Sequence, residues 1–120
     1  MSKLLIVDDE NDIREFAKRF FEKRGIIVFT AENGTAALEV ADTERPDLVL
    51  LDITMDGISG VEVLKTLRQD GNDVKVIMVT GVEDETTVNE ANSWGIAGYI
   101  HKPLVLDELE TIVLKELNRG

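Results

Sequence analysis

Several apolar runs of this chain end in side chains that could bind a metal or take part in group transfer. Asp8 and Asp9 follow residues 4–7, and Asp52 follows residues 48–51. Two further runs, residues 76–79 and 99–101, end in Thr80 and Lys102, and Pro103 follows that lysine. If the runs are neighbouring parallel strands, these groups emerge at one edge of the sheet, where open α/β sheets bind their ligands. Acidic groups with a lysine and a hydroxyl suit a divalent metal and a phosphoryl group, so the pattern indicates a phosphorylation site.

The charges of this cluster also predict a metal. Two like charges ~4 Å apart repel by about 1 kcal/mol in water and about 4 kcal/mol at an effective dielectric near 20. Asp8, Asp9 and Asp52 bring three negative charges together and Lys102 returns one positive charge, so a divalent cation would neutralise the group. Hard oxygen ligands favour Mg²⁺. A carboxylate can attack phosphorus to form an acyl phosphate, while Mg²⁺, Lys102 and Thr80 neutralise the equatorial oxygens.

Length and composition bound the remaining possibilities. At 120 residues with 43% hydrophobic content, the chain should form one domain with a single core. It has no cysteine, which excludes disulfides and thiolate metal sites. No apolar segment approaches the length of a membrane span, and no cationic leader precedes the first run, so a cytoplasmic protein is expected. The net charge of −11 would be repelled by a phosphate backbone, which argues against direct nucleic-acid binding.

Short apolar runs alternate with amphipathic segments along the chain. The strands are predicted at Lys3 to Val7, Ile27 to Thr30, Leu48 to Leu51, Val74 to Val79 and Gly98 to His101. The clearest helical stripe consists of Ile13, Phe16, Ala17, Phe20 and Phe21. The least convincing helix, Asp84 to Ser93, has only a thin apolar stripe. Five strands alternating with five helices predict a doubly wound parallel α/β domain.

Four strings of the sequence resemble the motifs of a known family. They are IVDDE, LVLLDI, VIMVTG and GYIHKP, in an order and at a spacing similar to those of receiver domains of the two-component response-regulator family. The resemblance covers essentially the whole chain. It implies a flavodoxin-like fold with sheet order 2-1-3-4-5, an order that the general rule for doubly wound sheets illustrates with a member of this family. It also implies a cis peptide bond before Pro103.

The resemblance implies a role for each site residue. Asp52 would be the phosphoacceptor, and Asp8, Asp9, Asp52 and the backbone carbonyl of Thr54 would hold Mg²⁺. Lys102 and Thr80 would contact the phosphoryl group, and Tyr99 would change position together with Thr80. The partner would be a histidine kinase or a histidine phosphotransfer protein. The downstream target stays open.

The resemblance also implies which surface transmits the signal and how the protein assembles. Phosphorylation would be read on the face formed by helix 4, strand 5 and helix 5. The expected protein is a standalone receiver without an output domain, monomeric or dimerising on phosphorylation, that catalyses only its own phosphorylation and dephosphorylation. Three positions depart from the usual family pattern: Asp56 where proline is usual, Gly81 where alanine is commoner, and Leu104 in place of a frequent phenylalanine.

Other interpretations were weighed against this one. Each residue alone could be structural: Asp9 as a helix N-cap, Asp52 as a loop cap, Thr80 as a strand residue and Lys102 as a solvated lysine. A phosphohydrolase of the haloacid dehalogenase type would need a second aspartate two residues after Asp52, where Thr54 stands. A phosphorylation-independent interaction module would be expected to lack the acidic pair, the acceptor or the lysine, and all are present.

Overall fold

The computed structural model of the protein describes residues 1–55, 57–81 and 85–118, and within them five strands alternate with five helices. The strands are β1 Lys3–Val7, β2 Ile27–Ala31, β3 Leu48–Asp52, β4 Lys75–Thr80 and β5 Gly98–His101. The helices are α1 Asn11–Glu22, α2 Gly34–Glu44, α3 Gly60–Gln69, α4 Glu85–Trp94 and α5 Leu106–Asn118. The predicted alternation is confirmed, and the strand boundaries agree with the predicted ones to within one residue.

The strands form one parallel sheet in the order β2-β1-β3-β4-β5, as predicted. Side chains alternate between its two faces. One face packs against α2, α3 and α4, and the other packs against α1 and α5. Burial on both faces explains why β1, β3 and β4 are almost continuously apolar.

Short polar residues set the starts of two helices. The Asn33 side chain accepts a hydrogen bond from the Ala36 N–H at 2.8 Å and caps α2. The Ser59 hydroxyl accepts one from the Glu62 N–H at 3.3 Å and caps α3. Both caps place a helix start next to the carboxyl edge of the sheet.

The apolar stripe of α1 is narrower than predicted. Ala17 and Phe21 are buried, but Phe16 is 53% exposed. Successive helical residues are rotated by about 100°, so Phe16 is turned away from the face on which Ala17 lies. Phe16 instead borders Pro103 and Leu104 on the surface. The helix predicted at Asp84 to Ser93 is α4, and Asp84 itself lies outside the described residues.

A single arginine joins the ends of α3 and α4. The Arg68 guanidinium donates hydrogen bonds to the carbonyl oxygens of Trp94 at 2.9 Å, Gly95 at 2.8 Å and Asn72 at 2.9 Å. The first two carbonyls stand at the C-terminal end of α4, where backbone acceptors lack partners within the helix. Burial lowers the pKa of Arg68, and the charge of Asp73 opposes that shift. The guanidinium therefore fixes the end of α4 against the rest of the fold.

Among the described residues, every helix is too short or too polar to cross a bilayer.

Candidate functional site

The strand register brings the predicted site residues to one edge of the sheet. Val7 lies opposite Leu51, so Asp8 and Asp52 leave adjacent strands side by side. Thr80 ends β4 and lies opposite His101 of β5, and Lys102 follows directly. Asp8, Asp52 and Thr80 are buried, with exposed fractions of 3%, 1% and 0%. Buried charged groups call for partners, because unpaired burial of a charge is costly.

Lys102 is the partner of the buried acids. Its Nζ lies 3.1 Å from Asp52 Oδ2, 3.5 Å from Asp8 Oδ2 and 4.0 Å from Glu10 Oε1. The lysine backbone is held as well, since its N–H donates to the Thr80 carbonyl oxygen at 2.7 Å. The peptide bond between Lys102 and Pro103 is cis. The ammonium group, carried at the end of β5, thus contacts acidic side chains at the ends of β1 and β3.

The two buried carboxylates are also held by local backbone donors. The Glu10 N–H donates to Asp8 Oδ1 at 2.9 Å, and the Thr54 N–H donates to Asp52 Oδ1 at 3.1 Å. In each case the aspartate bonds the residue two positions later, a turn that aspartate commonly forms. Each carboxylate therefore has one oxygen fixed by the backbone and the other facing Lys102.

The electrostatics of Asp52 and Lys102 reflect this crowding. Burial raises the pKa of Asp52 above its ordinary value, and the charge of Asp8 raises it further, while the hydrogen bond from Lys102 opposes both. Burial alone would lower the pKa of Lys102, but its hydrogen bond to Asp52 and the charges of Asp52, Asp8 and Glu10 raise it. The acidic neighbours therefore stabilise the charged form of Lys102, whereas burial and Asp8 destabilise the ionised form of Asp52.

Three acidic side chains next to Lys102 could hold a metal ion. Carboxylate oxygens of Asp8, Asp9 and Glu10 lie within 4.8 Å of one another, with Asp8 buried and the other two exposed. Sequence reasoning missed Glu10, although it follows Asp9 directly in the IVDDE string.

The alternative that Asp9 serves as the N-cap of α1 is wrong. The N-cap position is Glu10, whose side chain makes no capping hydrogen bond. The alternative for Asp52 is partly right, because it does cap the following turn while facing Lys102.

The segment after Asp52 folds back so that Gly60 lies against Asp52 and Ile53. The Gly60 N–H donates to the Ile53 carbonyl oxygen at 2.9 Å. A Cβ at Gly60 would overlap the Asp52 carbonyl oxygen and lie 2.9 Å from Ile53 Cα, so only glycine fits there. We call residues 53–55 and 57–60, the part of this segment that the structure describes, the acceptor loop. Its two ends are fixed against each other, and Thr54 lies at the start of it.

The remaining predicted residues flank the site. The Tyr99 side chain is partly buried on β5, with its ring centroid 5.8 Å from that of His101. An added Cβ at Gly81 would meet Lys102 Cβ at 3.9 Å, an ordinary contact, so alanine would fit there too. Leu104 is partly buried against the α1–α5 side of the core. Asp56 lies outside the described residues.

An apolar depression adjoins the acidic site. It has a volume of about 740 Å³, and its walls are formed by Asp12, Ile13, Phe16, Lys102, Pro103 and Leu104. The exposed ring of Phe16 and the residues after Lys102 give it its apolar character. A molecule that reaches Lys102 from this side would meet a hydrophobic rim.

The sequence matches the family model of the response regulator receiver domain over residues 4–114. It is 37% identical to sporulation initiation phosphotransferase F of Bacillus subtilis over 115 residues, covering 96% of this chain and 93% of that protein. It is 36% identical to regulatory protein AtoC of Escherichia coli, covering 98% of this chain but only 25% of that protein.

Solved structures show the same likeness. A CheY-like receiver domain protein from Methanospirillum hungatei superposes with a TM-score of 0.93 at 28% identity, covering 99% of this chain and 95% of the other. Response regulator protein TrrA of Thermotoga maritima, solved in complex with Mg²⁺-BeF, superposes with a TM-score of 0.85 at 39% identity, covering 98% and 100%. A five-stranded parallel sheet with an acidic, lysine-bearing carboxyl edge defines a receiver fold. The chain belongs to the response regulator receiver domain family, whose members act as phosphorylation-dependent switches in two-component systems.

Proposed function

We propose that residues 1–120 form a single receiver domain in which Asp52 accepts a phosphoryl group. The observation that carries this assignment is the contact of Lys102 Nζ with the buried Asp52 carboxylate at 3.1 Å, beside a second buried acid, Asp8. A structural salt bridge would need only one carboxylate. A buried carboxylate whose pKa is raised by burial, as for Asp52 beside Asp8, is typical of functional sites.

The reaction is a transfer between two nucleophiles. An oxygen of the ionised Asp52 carboxylate forms a bond to phosphorus, while the P–N bond of a phosphohistidine donor breaks and its electron pair stays on the histidine nitrogen. Lys102 has a fixed position 3.1 Å from the carboxylate and can bind an oxygen of the transferred group. The Thr54 N–H keeps the Asp52 carboxylate oriented. The Thr80 hydroxyl is proposed as a further donor to that group.

Magnesium fits the donor set of this edge. Asp8, Asp9, Asp52 and the backbone carbonyl of Thr54 would hold it, and Glu10 adds a neighbouring acid. All are hard oxygen donors, and one lysine leaves the acidic group with excess negative charge. Bound Mg²⁺ would supply charge neutralisation at the phosphoryl oxygens. The solved Mg²⁺-BeF complex of the Thermotoga maritima relative supports the same assignment here.

The donor is proposed to be a histidine kinase or a histidine phosphotransfer protein. The apolar depression beside Lys102 supports a protein donor, because a hydrophobic rim next to a charged site suits a protein surface more than a small anion. The similarity to a sporulation phosphotransferase fits a position within a relay. Four further expectations stay predictions. They are that the protein catalyses only its own phosphorylation and dephosphorylation, that it is cytoplasmic, that it is monomeric, and that it dimerises on phosphorylation.

The signal is proposed to leave through α4, β5 and α5. Thr80 and Tyr99 stand on neighbouring strands, with Met78 and not Thr80 directly opposite Tyr99. On this face a depression of about 490 Å³ is bordered by Val88, Asn92, Ile96, Ala97, Gly98, Tyr99 and His101. A shift of the Thr80 hydroxyl towards a phosphoryl group would change the space available to the ring, and phosphorylation would favour one of two arrangements.

Labelling of purified protein tests the phosphoacceptor. Incubation with acetyl phosphate and Mg²⁺ should add one phosphate by mass, and alkali should remove it. Asp52→Asn should not be labelled at a comparable rate. Asp42→Asn, which alters an exposed carboxylate on α2, serves as the matched control and should be labelled like the unmodified protein. Equal labelling of Asp52→Asn would refute the assignment.

A further inference from the structure

The acceptor loop contacts the start of α2 through Ile58. Ile58 lies over Gly34, the first residue of α2. A Cβ at Gly34 would overlap Ile58 Cγ1 and lie 2.6 Å from Ile58 Cδ1 and 2.8 Å from Val63 Cγ2. Gly34 is buried beneath these side chains, although Ile58 itself remains 38% exposed. The absence of a side chain at Gly34 therefore makes room for the isoleucine.

Backbone conformation gives no other reason for glycine here. Gly34 is not among the residues with positive φ, and it sits in an ordinary first helical turn capped by Asn33. Alanine is a better helix former than glycine by about 1 kcal/mol in a helix interior. Any local preference would therefore favour a larger residue. Only the position of Ile58 and Val63 requires glycine.

The loop connects this contact to the phosphoacceptor. Its ends are closed by the Gly60 N–H bond to Ile53 and by the close approach of Gly60 to the Asp52 backbone. Near its start, the Thr54 N–H fixes Asp52 Oδ1. Gly60 at one end and Ile58 on Gly34 therefore hold residues 58–60 from two sides.

We propose that Gly34 and Ile58 form a positioning contact that sets Gly60 and, through its contacts with the Asp52 and Ile53 backbone, the orientation of the Asp52 carboxylate and of the Thr54 N–H that binds it. This inference rests on the proposed function of Asp52. It assigns to two residues outside the charged cluster a role in the reaction. A methyl group at position 34 would displace Ile58, and the shift would reach the Asp52 and Ile53 backbone through Gly60, two residues further on.

Four variants separate positioning from simple stability. Gly34→Ala perturbs the contact, Ile58→Ala removes the displaced side chain, and the double variant combines them. Gly98→Ala is the matched control, because a Cβ there would lie 2.7 Å from Ile112 Cδ1 at the opposite end of β5 from Lys102. Three quantities are measured for each: exchange of the Thr54 amide in metal-free protein, Mg²⁺ affinity from a chemical-shift titration, and the rate of labelling by acetyl phosphate at saturating Mg²⁺.

The expected pattern is specific. Gly34→Ala should weaken Mg²⁺ binding, slow labelling and speed exchange of the Thr54 amide by about tenfold each, since displacements of about 1 Å can cost up to a hundredfold in rate. Gly98→Ala should leave all three within about twofold, as expected of an independent site. In the Ile58→Ala background, adding Gly34→Ala should change each quantity by less than it does in the unmodified protein, and the remaining effect would come from the contact with Val63 Cγ2.

Two results would overturn the inference alone. One is a Gly34→Ala variant that resembles Gly98→Ala in all three measurements. The other is a Gly34→Ala effect that persists in full when Ile58 is already alanine. Failure of the unmodified protein to be labelled at Asp52 would instead remove the proposed function, and the inference with it.

Discussion

Replacing Asp52 by asparagine should stabilise the metal-free protein. Burial and the charge of Asp8 raise the pKa of Asp52 despite the hydrogen bond from Lys102, so its ionised form is disfavoured in the folded state. Asparagine is neutral and nearly the same shape, and its oxygen can still accept the Thr54 N–H. The substitution removes a buried charge and keeps the local turn.

The distances at Lys102 give the size of the two charge interactions that the substitution removes. The Asp52 and Asp8 oxygens lie 3.1 and 3.5 Å from the same Nζ, so they are no more than about 6.6 Å apart, where unit charges repel by about 2.5 kcal/mol at an effective dielectric near 20. The attraction lost between Asp52 and Lys102 is about 5 kcal/mol on the same scale, but Lys102 retains Asp8 and Glu10. Burial and repulsion raise the pKa of Asp52 despite this attraction, so we expect a net gain, and we take its size as about 1–2 kcal/mol, which is common for single substitutions.

Thermal and urea unfolding without metal measure this gain. A gain of 1–2 kcal/mol corresponds to a midpoint rise of about 4–8 °C for a domain of this size. Since the folded pKa is raised above the ordinary value of 3.8, the advantage of asparagine should be full at pH values above the folded pKa. It should shrink as the pH falls through the folded pKa and vanish below the ordinary value. A neutral-pH midpoint at or below that of the unmodified protein would refute the reasoning, with Asp42→Asn as the control.

Two further predictions address the metal and the output. Mg²⁺ should stabilise the unmodified protein by up to about 2.7 kcal/mol at a hundredfold excess over its dissociation constant. This gain, measured by thermal unfolding, should be smaller in Asp9→Asn. An undiminished gain would exclude Asp9 as a ligand. Amide exchange with and without beryllofluoride should change most across residues 80–106 and little in α1, because the α4 stripe is thin and weakly held elements are the ones that switch. Larger changes in α1 than in that segment would place the output surface elsewhere.

The fold was predictable because its signals are local. Apolar runs such as residues 48–51 are buried on both faces of the sheet, and their short length and continuous apolar character identify them as central strands. Turn residues such as Gly25, with φ of 80°, mark the ends of helices for reasons of backbone conformation. The clustering of Asp8, Asp52 and Lys102 then follows from parallel topology.

Other features depend on how elements pack and could not be derived from spacing. The periodic stripe of α1 includes Phe16, but only its packing against the sheet shows that Phe16 faces outwards. The approach of Glu10 to Lys102 depends on where α1 begins. The seat of Ile58 on Gly34 depends on the path of a loop between elements remote in sequence. Such contacts produce no regular spacing of residue types in the sequence.

The three hydrogen bonds of Arg68 have a mechanical consequence for α4. A helix fastened at its C-terminal end cannot slide along the sheet and can only swing about Trp94 and Gly95. Its ten residues make a lever of about 15 Å, so a rotation of about 10° moves Glu85 by about 2.6 Å while the fastened end stays almost still. The largest travel therefore falls at the end of the helix that follows β4 and Thr80. A displacement at that end decreases along the helix towards Arg68, which holds the pivot.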